Sequence, residues 1–231
     1  MAAGVRILGL HIRDSLNAGD RYSCPLEYFA FPGHEIILGD MRAPPSCAPD
    51  VVVYGGGSIT ASPAFRRWPG AITIAWGVGH HVRSEPWDDA MHAEHGRAAY
   101  LCDLYFPRDA VRGFQVVPDA SCLHPVFDEI IEPRHAVVCY SAARRIDVSN
   151  GSDPHMTNED GSVEDAVRFL GSGRKIVTSS YHGVYWAWLL GRSVKMVAWG
   201  SKFFYLPSLN LSQCREANRS AYARVVELLD G

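Results

Sequence analysis

Three runs in the first half of the chain, VRILGLHI (5–12), DVVVYGGGS (50–58) and AITIAWGVG (71–79), are strand-length, rich in β-branched residues and almost continuously apolar. A strand with one wet face alternates polar and apolar side chains. A run without that alternation belongs to a strand covered on both faces, as in a parallel sheet. The second half repeats the theme with HAVVCYSA (135–142), RKIVTSS (174–180) and SVKMVAWG (193–200). Between them lie the helical segments VEDAVRFLGSG (163–173) and GVYWAWLLG (183–191), and the chain closes on a helix over 215–231. Alternating strands and helices predict parallel sheets linked by crossovers.

Shorter signals fill in the order. EIILGD (35–40) reads as a strand, CPLEYFAFP (24–32) as a helix opening after Pro25, and residues 87–103 as helical in their first half. LYFPRD and FQVVPDAS read as two further strand ends. HPVFDEIIEPRH (124–135) carries two prolines and reads as a linker. The expected fold is α/β, with two small Rossmann-like lobes in residues 1–130 and 131–231; a single doubly wound domain is the alternative.

Composition narrows the function classes. A net charge of −3 argues against nucleic acid as the main partner, because phosphate-backbone binding shows as a basic excess. No run approaches the ~20 apolar residues of a membrane span, which leaves peripheral association as the only membrane role expected. The apolar stretch near the N-terminus is cut by Arg6, His11, Arg13 and Asp14, so it reads as a buried strand rather than a leader. Six cysteines without close pairing read as free thiols in a reducing cytoplasm.

Ligands of open parallel sheets bind beyond the carboxyl ends of the strands, so the residues there are the candidates. After the first strand, Asn17, Gly19 and Asp20 suit a capped turn. After the next comes Gly55-Gly56-Gly57-Ser58, which lacks both the dinucleotide spacing and the lysine of a phosphate loop. Gly56, Gly57 and Ser58 nonetheless allow close approach of a ligand to backbone. His80, His81, His92 and His95 lie near Asp88 and Asp89, but no spacing fixes a ligand set. They read as a solvated, histidine-rich loop and helix; no metal and no cofactor is expected.

In the second half, Arg144 and Arg145 end a strand, where a planar guanidinium can grip carboxylate or phosphate. Ser179, Ser180, Tyr181, His182 and Gly183 then join a strand to a helix, a place where backbone amides favour an anion and an imidazole can move a proton. The aromatics of that helix, Tyr185, Trp186 and Trp188, read as core. Lys202 follows the next strand and adds a cation to the same rim.

Taken in order, NAGD (17–20), GGGS (55–58), WGVG (76–79), PRD (107–109), VPDAS (117–121), TSSYHGVYWAWLLG (178–191) and SKF (201–203) resemble the polysaccharide pyruvyl transferases. The matching blocks span most of the chain from residue 5 to about residue 205. The resemblance implies two Rossmann-type lobes in a GT-B-like arrangement. It also implies transfer of a pyruvyl group from phosphoenolpyruvate to a sugar of a polysaccharide or glycoconjugate. By the same resemblance His182 is the acid–base or phosphate-contacting residue. Asp20 is then the base for the acceptor hydroxyl, with Arg144, Arg145 and Lys202 neutralising the donor and Ser179 and Ser180 orienting it. The family usually carries Arg directly before the His-Gly pair, and this chain carries Tyr181. Two rivals keep the architecture: a GT-B-like glycosyltransferase using a nucleotide sugar, with Tyr181 packing on its base or sugar, and a non-catalytic sugar- or anion-binding protein.

Overall fold

A computed structural model describes residues 4–83 and 87–230. Five strands form the first sheet: β1 (Arg6–His11), β2 (Glu35–Asp40), β3 (Val51–Gly55), β4 (Ile72–Val78) and β5 (Leu104–Pro107). Their order is β2-β1-β3-β4-β5, and every pairing is parallel. Four strands form the second: β6 (His135–Ser141), β7 (His155–Thr157), β8 (Gly173–Thr178) and β9 (Ser193–Met196), in the order β7-β6-β8-β9, again all parallel. The chain is therefore α/β with two parallel sheets, consistent with Rossmann-like lobes.

The unbroken apolar runs behave as buried parallel strands must. Every residue of β3 is buried, and Val51, Val52 and Val53 pair in register with Ile72, Thr73 and Ile74. The helices are α1 (Ala18–Arg21), α2 (Trp87–Tyr100), α3 (Val163–Gly171), α4 (Tyr181–Leu189) and α5 (Leu211–Asp230). α3 starts at a reciprocal cap, in which Ser162 accepts the Asp165 N–H while the Asp165 carboxylate accepts the Ser162 N–H. α4 is apolar all round and is buried everywhere but Trp188, as a helix enclosed within the layers must be.

Three local expectations differ from the structure. CPLEYFAFP makes only a 3-10 turn over Pro25–Glu27, because Cys24 supplies no side-chain cap. Phe29 stacks on Trp76 and Tyr222 instead of continuing a helix. α2 runs its full length through Gly96, where open space surrounds the missing Cβ. FQVVPDAS is not a strand: Asp119 caps a 3-10 turn over Ala120–Leu123 by accepting the Ser121 N–H.

α5 lies within the span 131–231 but packs on both cores. Ala221 and Val225 join Ile7, Trp76 and Phe106 of the first sheet, whereas Cys214 joins the cluster around Trp186 and Phe203. Between them Asn218, 0% exposed, accepts the Trp76 indole N–H at 2.8 Å and donates to the Pro118 and Cys214 carbonyls at 3.1 and 3.0 Å. Among the described residues no helix is long and apolar enough to cross a membrane. The six cysteines are free thiols.

Asn218→Ala leaves the buried Trp76 N–H unpaired, which costs about 1–3 kcal/mol beyond the lost packing. Equilibrium denaturation checks this; a loss below about 0.5 kcal/mol, the range of ordinary surface changes, would mean that Asn218 does not hold α5 to the sheets.

Candidate functional site

Parallel strands all present their carboxyl ends to one rim, and here the two rims face one cavity of about 470 Å³. Each of the nine strands is followed within three residues by a side chain that lines it. That size suits a small-molecule site, for which ~300–1,000 Å³ is usual.

The centre of the site is a buried polar chain. Arg108, directly after β5, is 2% exposed, and Asp119 is 0% exposed. One Asp119 oxygen, Oδ2, lies 3.3 Å from Arg108 Nη1 and 3.3 Å from His182 Nε2. The other, Oδ1, accepts the Ser121 N–H at 3.1 Å. Arg108 Nη2 donates to Ser58 Oγ at 2.9 Å, and the guanidinium lies 3.9 Å above the Tyr181 ring. Burial opposes ionisation of Asp119, but His182, Arg108 and Ser121 outweigh it and hold the carboxyl below its ordinary value.

The surrounding residues fix this chain in place. The Tyr185 hydroxyl donates to the Asp119 carbonyl at 2.9 Å, and the Trp186 indole N–H donates to Ser121 Oγ at 3.0 Å. Tyr185 and Trp186 are core, as expected, and they also bolt the helix to the Asp119 turn, whereas Trp188, expected in the core, is exposed. A Cβ on Gly19 would overlap the His182 imidazole, so glycine there is what lets α1 approach the ring. With Nε2 held by Asp119, His182 Nδ1 makes no hydrogen bond among the described residues and faces Gly19 of α1.

The expected residues divide into two groups. Asn17, Asp20, Ser58, Arg144, Arg145, Ser180, Tyr181, His182 and Lys202 line the cavity. Asn17 caps α1 through the Gly19 N–H and donates to Asp20 Oδ2 at 2.8 Å. Arg144 pairs with Glu159 at 2.9 Å, and Arg145 lies over Trp199. Gly19, Gly56, Gly57, Ser179 and Gly183 do not line it. Gly56 and Gly57 take positive φ of 53° and 68°, so they shape the turn and deliver Ser58. Ser179 accepts the Ala142 N–H and donates to the Ile146 carbonyl, which spends its hydroxyl on the loop after β6. Gly183 packs against Thr178 and Tyr140. Tyr181 presents no free face for a base or sugar, since its ring is 4% exposed and covered by Arg108.

The histidine-rich segment also departs from the expectation of a solvated loop. Only His92 is exposed. His95 is fully buried between the Tyr105 hydroxyl at 2.6 Å and Asp109 at 3.2 Å, while His80 bonds Thr60 at 2.8 Å. Among the described residues no group of three or more His, Cys, Asp or Glu side chains could hold a metal ion.

Arg108 and Asp119 were not singled out from the sequence, although both sit in quoted blocks. A charged residue directly after an apolar strand was a usable signal for Arg108. For Asp119 the same signal came only from reading FQVVPDAS as a strand end, which the structure replaces with a 3-10 turn.

Asp119→Asn breaks the buried pair and is expected to cost about 3–5 kcal/mol at neutral pH. A carboxyl whose folded pKa is depressed adds stability above its ordinary value, and that stability is lost as pH falls through the folded value. The gap between wild type and variant, read from denaturation at stepped pH, therefore narrows below about pH 4; a gap independent of pH would contradict the ionised assignment. No protein-family model matches the chain, and comparison with curated proteins and with solved structures finds no match for it either.

Proposed function

We propose that the chain is a transferase that moves a pyruvyl group from phosphoenolpyruvate to a sugar hydroxyl, its two lobes meeting in a GT-B-like arrangement. The observation that carries this reading is the guanidinium of Arg108 lying on the Tyr181 ring beside His182. The pyruvyl transferases that the sequence resembles usually carry Arg at the position of Tyr181. In this chain an arginine from another element occupies the space over that tyrosine.

The chemistry asks for three things. The donor carries a phosphate and a carboxylate, so cations must meet it. Arg108 and Arg145 supply permanent ones and Lys202 a third when protonated, and Arg145 and Lys202 have no carboxylate partner among the described residues. Fixed charges in a partly dry cleft stabilise developing charge better than water does. An acid must protonate the methylene carbon as the enol phosphate is consumed; His182 fills that role, with Asp119 balancing the imidazolium charge. A base must take the proton of the acceptor hydroxyl as it attacks the central carbon, and Asp20 is the carboxylate on the α1 side of the cavity. Inorganic phosphate then leaves with the electron pair of its carbon–oxygen bond, and the neighbouring sugar hydroxyl adds to the same carbon, losing its proton to the departing phosphate and closing a cyclic ketal. Six free thiols agree with a reducing compartment, and we assign the protein to the cytoplasm.

Thermal melts with phosphoenolpyruvate, inorganic phosphate and nucleoside diphosphates test the donor. At about 100 times Kd a ligand adds about 2.7 kcal/mol of stability, and phosphoenolpyruvate is expected to do so where uridine and guanosine diphosphates do not. Stabilisation by a nucleoside diphosphate alone would overturn the reading in favour of glycosyl transfer. His182→Ala is expected to keep donor binding and to slow phosphate release, in the presence of pyranosides with free neighbouring hydroxyls, by ~10²-fold or more.

A further inference from the structure

The chain uses lysine sparingly. Of its 22 Lys and Arg residues only three are lysines: Lys175, Lys195 and Lys202. Lys175 and Lys195 are exposed on β8 and β9. Lys202 is half-buried in the wall of the cavity. If a permanent cation were all the site required there, arginine would serve, as it does at Arg108, Arg144 and Arg145. What an amine offers and a guanidinium does not is a neutral, nucleophilic form at physiological pH.

Burial and the neighbouring guanidiniums favour that form, against the aromatic faces nearby, which attract an ammonium. Lys202 Nζ lies 4.2 Å from the centroid of the Trp199 ring, 5.5 Å from that of Phe203 and 5.9 Å from that of Tyr181. It has no carboxylate within ion-pairing distance among the described residues. Burial, then the charges of Arg108 after β5 and Arg145 after β6, push the amine down to about 7. Asp20 from α1 and Asp109 after β5 oppose the shift but do not overcome it. His81, after β4, packs edge-on against Trp199, and burial together with Lys202 pushes its imidazole down to about 4. It is therefore uncharged at neutral pH and adds no competing cation there.

We propose that Lys202 is a carbonyl-reactive amine and that the cavity takes a small 2-oxo carboxylate as an imine on it. The aromatic seat keeps Nζ poorly hydrated, and Arg108 and Arg145 are the guanidiniums available to the carboxylate. The neutral Nζ adds to the carbonyl carbon. Both amine hydrogens leave with the carbonyl oxygen as water, a carbon–nitrogen double bond forms, and nothing is oxidised or reduced. The activity stands apart from pyruvyl transfer, because it needs neither phosphoenolpyruvate nor an acceptor sugar.

The test is reductive trapping of the whole chain with pyruvate and cyanoborohydride at pH 7, followed by peptide mass mapping. An ordinary lysine is neutral in roughly one molecule in 2,500 at that pH and an amine titrating near 7 in about half. Carboxyethylation is therefore expected on Lys202 about tenfold or more faster than on Lys175 or Lys195, allowing for the lower nucleophilicity of the weaker base. The wild-type chain carries its own controls, so the result does not depend on a variant folding. Lys202→Arg, with an unchanged melting profile, removes the site-specific adduct. Equal labelling of the three lysines, or none at Lys202, overturns the proposal whether or not the chain binds phosphoenolpyruvate.

Discussion

A carboxylate with no exposure to water must be met by compensating charge, and Asp119 is such a group. Its isolated burial would cost several kcal/mol. Arg108 on one side, His182 on the other and the Ser121 amide behind it meet that cost together. The three partners come from the end of β5, the start of α4 and the Asp119 turn itself. A single requirement of charge balance thereby fixes three separate pieces of chain. Replacing the group with an apolar core of equal volume could be as stable, so the arrangement is better understood as positioning than as stabilisation.

Much of the neighbouring structure follows from it. The Tyr185 and Trp186 hydrogen bonds hold the turn that carries Asp119, so the aromatic helix and the site form one unit. Gly19 is small because the imidazole needs its space, and the Tyr181 ring is the floor on which Arg108 lies. The cavity lining carries Arg145 and Lys202 over Trp199 together with Asp20 and the Arg144–Glu159 pair.

The parallel sheets were legible because runs such as VVVYG have no alternation, and parallel pairing is the arrangement that buries both faces. The strand-end rule likewise led to Asn17, Ser58, Arg144, Arg145, Ser180, His182 and Lys202, all of which line the cavity. What sequence could not reveal were contacts set by tertiary distance. Asp119 sits 63 positions from His182, and nothing local marks it as that residue's partner. Ser179 and Ser180 are neighbours of equal chemistry, yet one caps α4 at the cavity and the other is spent on Ile146. Burial of His80 and His95 was hidden for the same reason, because their partners Thr60, Tyr105 and Asp109 lie on other segments.

On the proposed reading Arg108, directly after β5, supplies the guanidinium that an arginine at position 181 would otherwise supply. Calorimetric titration of phosphoenolpyruvate into wild type, Arg108→Gln and the double variant Arg108→Gln/Tyr181→Arg tests it most directly. Binding at least tenfold weaker, about 1.4 kcal/mol, is expected in the single variant, with partial recovery in the double variant. Binding to a folded Arg108→Gln protein as tight as to wild type would contradict it.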